Sequence, residues 1–84
     1  MRLRREFIAW RELEGEGVLL DLRSSRYLST NPVGTMMVGL LQDECTIEEL
    51  VDAVATGYEA DRTVVARDVD VFLDQLRDND LLEA

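Results

Sequence analysis

Three short antiparallel strands followed by three helices, an α+β order, is the fold class this 84-residue sequence predicts, and three observations predict it. The apolar period changes from 2 to 3.6 at Pro32. Glycines at 15 and 17 punctuate the first half. Two helix starts, Asn31-Pro32 and Thr46-Ile47-Glu48-Glu49, punctuate the second.

The first strand spans 6–12, with Ile8 and Trp10 facing one way and Ala9 and Arg11 the other. Glu14-Gly15-Glu16-Gly17 supplies the positive-φ glycines of a turn, after which Val18, Leu20 and Leu22 alternate with Leu19, Asp21 and Arg23 in the second strand. Ser24-Ser25 reads as a poor two-residue hairpin loop, so the register of the third strand, Arg26–Ser29, and the face of Tyr27 stay open. The junction into the first helix is the most informative stretch of the chain. Asn31 suits an N-cap, Pro32 suits the first helical position, and a residue before proline is already biased toward extended geometry. With no further strand expected after it, the third strand reads as a sheet edge whose unpaired backbone groups another chain could use.

Val33, Met36, Met37, Leu40 and Leu41 form the expected buried face of the first helix, which ends near Gln42-Asp43. Thr46 and Glu49 form a capping box, and Ile47, Leu50, Val51, Val54 and Tyr58 line the second helix. The third helix starts near Asp61 or Thr63 and carries Val65, Val69, Phe72 and Leu76 at core spacing. Beside that row runs a mixed one, Val64, Asp68, Val71 and Gln75, better suited to a cleft wall, because a site needs an apolar floor with a few polar orienting groups. Asn79-Asp80 suits a left-handed stop, after which Leu81-Leu82 can fold back on the helix end.

Residues 1–30 hold six arginines against five acids, whereas residues 31–84 hold three arginines against thirteen acids. With no lysine or histidine, the acidic helical half repels nucleic acid and anionic lipid and favours cationic or neutral polypeptides. A single domain over 1–84 is expected. The lone Cys45 excludes an internal disulfide framework, and neither a signal peptide nor an apolar run of membrane-spanning length is present, so a cytoplasmic location is expected. Cys45 lies beside Asp43 and Glu44 with no histidine to act as its base, and carboxylates at i, i+2 such as Asp68/Asp70 point to different helix faces. No catalytic residue, metal site or cofactor is assigned, and a binding module is expected, not an enzyme.

Through Tyr27-Leu28-Ser29, Asn31-Pro32-Val33-Gly34, Thr46-Ile47-Glu48-Glu49-Leu50 and the closing stretch Asp68 to Leu76, the chain resembles the RiPP precursor-peptide recognition elements of the pyrroloquinoline-quinone D type. The stand-alone form from lasso-peptide gene clusters is the best match, over roughly residues 16–83. The resemblance implies a winged helix-turn-helix fold in which a leader peptide joins the third strand as an extra antiparallel strand, in a cleft against the third helix. By position it implies an edge of Arg26, Tyr27, Leu28 and Ser29, and a facing wall of Val64, Val65, Asp68, Val69, Phe72 and Gln75. It also implies partners: the precursor leader, a separate leader peptidase, and a cyclase as a further candidate. The family's usual glycine near the final turn is replaced here by Asn79-Asp80.

Two other functions fit a small acidic chain less well. A winged-helix DNA-binding regulator would bring Asp61–Asp80, with six aspartates against three arginines, toward phosphates. An acidic carrier protein needs a serine opening a helix, whereas Ser24, Ser25 and Ser29 lie in strand and turn context.

Overall fold

The computed structural model describes residues 1–83. Its elements are β1 (Arg2–Leu3), β2 (Ile8–Leu13), β3 (Glu16–Asp21), β4 (Arg26–Thr30), α1 (Pro32–Leu40), α2 (Ile47–Gly57), α3 (Arg62–Asp78) and β5 (Leu82–Glu83). The antiparallel sheet β2-β3-β4 and the three helices that follow it are the α+β order expected from the period change.

β2 and β3 are joined by Glu14-Gly15 alone, both at positive φ (53° and 81°), so the twist of a two-residue hairpin is set there. Gly17 is not part of that turn; it sits in β3 because a β-carbon on it would lie 2.0 Å from Trp10 Cη2 and 2.7 Å from Thr30 Oγ1. The next loop is longer than Ser24-Ser25. It runs from Leu22 to Ser25, with Ser25 at φ 60° and its N–H donating to Asp21 C=O at 2.8 Å, which brings Arg26 opposite Asp21.

The helix signals operate as expected. The Gly34 N–H donates to Asn31 Oδ1 at 2.8 Å. Thr46 and Glu49 cap each other reciprocally, at 3.0 and 3.1 Å. Asp61 rather than Thr63 caps α3, accepting from the N–H groups of Thr63 and Val64. The buried face of α1 is rotated from its expected stripe. Gly34, Met37, Val38 and the C-cap Leu41 are buried, while Val33 and Met36 are half-buried and Leu40 borders solvent. Against it pack Leu50, Val51 and Val54 of α2, Val65, Val69, Leu73 and Leu76 of α3, and Leu19 from the sheet.

Leu81 folds back on α3 and is buried, its N–H donating to Leu76 C=O at 2.9 Å. The following residues then pair with the start of the chain, β5 against β1, with Arg2 opposite Glu83 and Leu3 opposite Leu82. Met1 joins this clasp through its ammonium, paired with Glu44, and through its C=O, which accepts from the Cys45 N–H at 2.8 Å. Among the described residues no helix is long and apolar enough to cross a membrane.

Candidate functional site

Among the described residues β4 pairs only with β3, so one side of its backbone is open. Which groups it exposes follows from the hydrogen-bond alternation of antiparallel pairs. Leu22 N–H donates to Phe7 C=O, so residues 20, 18 and 16 turn their backbone groups to β2, and residues 21, 19 and 17 turn theirs to β4. Their partners are Arg26, Leu28 and Thr30. The backbone groups of Tyr27 and Ser29 therefore point to the open edge, and those of Leu28 are committed to β3.

The same alternation settles the side chains. Arg26, Leu28 and Thr30 share the inner face with Asp21, Leu19 and Gly17, while Tyr27 sits opposite Leu20 and Ser29 opposite Val18 on the outer face. Tyr27 is 72% exposed there. It offers its backbone to the edge and its ring to the sheet's outer surface.

Along the inner side of β4 runs a groove of about 390 Å³, closed on its far side by the C-terminal end of α3. Leu19, Leu28 and Leu81 supply its apolar floor, and Arg23, Arg26, Asp78, Asn79 and Asp80 its polar rim. Farther along α3, Asp68, Phe72, Gln75 and Asn79 follow at i, i+4, i+7 and i+11, one stripe of the helix. Phe72 anchors that stripe to the strand end: a β-carbon on Gly34 would meet Thr30 Cβ at 3.2 Å and Phe72 Cε1 at 3.3 Å, so glycine lets helix, strand and ring converge. Asp68 and Gln75 are exposed, Phe72 is half-buried, and Val64 is 55% exposed. Val65 and Val69 differ. At 3% and 0% exposure they belong to the core row with Leu73 and Leu76, and the groove beside β4 is lined on α3 by Asp78 and not by residues 64–75.

Several lining residues fall outside the expected set, among them Asp21, Arg23, Asp78, Asn79 and Asp80. They come from a turn and a helix end that meet only in three dimensions. The one available signal was Asn79-Asp80, where a glycine is usual. Arg23 holds Asp21 through Nε and Nη2, both at 3.0 Å, and this hydrogen-bonded guanidinium lowers the Asp21 carboxyl to about 2. Asp80 is likewise lowered, first by its hydrogen bond from Arg4 and then by Arg23. Cys45 is buried and its thiol is pushed up by desolvation, which disfavours the thiolate. Among the described residues no group of three or more His, Cys, Asp or Glu side chains is placed to hold a metal.

An open strand edge beside an apolar-floored groove can bind an extended polypeptide: backbone pairing supplies part of the affinity and pockets the selectivity. Comparison with known proteins bears on this geometry. Residues 16–82 match the family described as "Coenzyme PQQ synthesis protein D (PqqD)". The solved structure "TbiB1 in Complex with the TbiA(beta) Leader Peptide" superposes with a TM-score of 0.89 at 33% identity, over 100% of this chain and 96% of that one. "Lasso peptide synthetase B1 complexed with the leader peptide" gives a TM-score of 0.83 at 28% identity, over 99% and 96%. No curated protein matches the chain significantly.

Proposed function

The chain belongs to the coenzyme PQQ synthesis protein D family, and from that membership we propose that it is a RiPP recognition element that captures the leader of a ribosomally made precursor peptide as a fourth strand on β4. The observation that carries this reading is the edge itself, where Tyr27 and Ser29 present N–H and C=O groups, with the groove beside Arg26, Tyr27 and Leu28. Four such hydrogen bonds, each worth about 0.5–1.5 kcal/mol net, do not hold a peptide at micromolar strength alone. Apolar leader side chains against Leu28 and Phe72 supply the remainder, with Asp68 and Gln75 orienting them.

An antiparallel leader enters beside Thr30 and Phe72 and leaves past Arg26 and the β3–β4 turn. Its side chains alternate between the groove and the outer face, where one of them meets the Tyr27 ring. The protein contributes no chemistry of its own in this reading. A separate leader peptidase, and a cyclase, act on the tethered precursor at the high local concentration that capture creates. Both work in the cytoplasm, which suits the free thiol of Cys45.

The test is a titration with labelled leaders of lasso-type precursors, the TbiA(beta) leader among them. Amide shifts are expected at Tyr27 and Ser29 and along residues 68–79. Ser29→Pro removes an edge amide and should abolish binding that Ser29→Ala retains. Equal behaviour of the two variants would exclude strand addition.

A further inference from the structure

We infer that Asp80 is a positioning residue for the groove, fixing the distance between β4 and the end of α3 where the leader leaves; this rests on the docking reading above. The backbone of Asp80 is left-handed, φ 56°, a conformation that glycine adopts at no cost and aspartate only with some strain. Backbone geometry alone therefore favours glycine here, and the carboxylate must offset the difference through what it binds. It binds two arginines from separate parts of the chain. Arg4, just past β1, reaches Asp80 Oδ1 through Nη2 at 2.7 Å and the Asp80 C=O through Nε at 2.8 Å. Arg23, in the β3–β4 turn, reaches Asp80 Oδ2 through Nη1 at 3.2 Å and the same C=O through Nη2 at 3.0 Å, while still gripping Asp21.

This chain of contacts, Asp21–Arg23–Asp80–Arg4, spans from the sheet to the helix end across one end of the groove. The Asp80 side chain is 66% exposed and both arginines are 34% exposed, so the contacts of Asp80 add little to global stability. Its leverage is local. A strand-wide slot must keep its width to accept backbone pairing on one side and side-chain contact on the other, and the turn carrying Arg23 has no other ionic tie to the α3 end among the described residues.

Asp80→Gly isolates the carboxylate, because it keeps the left-handed backbone and the C=O that both arginines contact. The variant should melt close to wild type and bind the labelled leader about fivefold more weakly. Amide exchange over residues 22–26 should quicken in the peptide-free protein. Asp80→Asn should behave like Asp80→Gly, and Arg23→Gln combined with Asp80→Gly should lose less affinity than the product of the two single losses, since the variants share the Arg23–Asp80 tie. Wild-type affinity in Asp80→Gly with unchanged exchange, or multiplying losses in the double variant, would overturn the assignment. Failure of the wild-type chain to bind any leader would instead overturn the docking reading.

Discussion

Among the described residues β2 and β4 are both edge strands, each pairing with β3 on one side only, yet they meet different neighbours. On β2 the residues whose backbone faces outward are Ile8, Trp10 and Glu12. Ile8 and Trp10 pack their side chains onto the core, Trp10 lies over Gly17, and Arg11 and Glu12 place charges toward the strand's end. Charged residues of this kind discourage a further strand. On β4 the outward residues are Tyr27 and Ser29, neither of them charged, and the last turns of α3 stand off the strand to leave a groove. An open edge becomes a site when a second wall stands beside it.

The sharpest way to break this contrast is to put proline at the outward amide of each strand. Ser29→Pro should abolish measurable leader binding, a loss of more than about thirtyfold, through the missing edge amide and the register it holds. Glu12→Pro should leave it within about twofold, because β2 offers its amide to solvent; comparable losses by titration would mean that the two edges are equivalent. Leu28→Pro separates the two meanings of an edge: its amide serves the ladder to β3, so its main effect should be a lowered melting temperature.

The packing of β2 can be tested directly. Gly17→Ala would drive a methyl group into the Trp10 ring and should cost about 1–3 kcal/mol, read as a fall in melting temperature of several degrees. Leader affinity per folded molecule should remain. Phe72→Ala acts on the other wall, removing a half-buried ring from the convergence of α1, β4 and α3; it should weaken binding about tenfold and also lower the melting point.

How much of this was legible beforehand depends on the range of the interactions. Asn31, the Thr46–Glu49 box and the Val65, Val69 and Leu76 row were readable because caps and helical periods are local. The strand boundary at Arg26 was also readable. The face of Tyr27 was not, since it depends on a four-residue turn in which Ser25 is left-handed and Arg23 folds back on Asp21, contacts that turn propensities do not encode. The β1–β5 pair escaped notice because two-residue strands show no period. The groove rim escaped for a related reason: Arg23 and Asp80 meet across 57 positions of sequence.

Smaller effects refine the comparison further. Asp68→Ala should reduce leader affinity by a few fold with melting nearly unchanged, as expected for an exposed acid that orients a peptide. Asp21 predicts an acid limit. Its folded value of about 2 lies below the ordinary carboxylate value of about 3.9, so its stabilising effect is complete above that ordinary value and is lost as pH falls through about 2. Stability followed by circular dichroism should therefore hold from neutrality to about pH 5 and decline below pH 4, and Asp21→Asn should make the decline shallower.

The clasp between β1 and β5 has a consequence for engineering. Arg2 lies opposite Glu83 in an antiparallel pair, so residues 2 and 83 lie side by side. A short peptide bridge from residue 83 to residue 1 would close residues 1–83 into a ring without stretching it, shrinking the freedom of its denatured ensemble. New extremities could then be opened at the exposed Gln42–Asp43 stretch between α1 and α2.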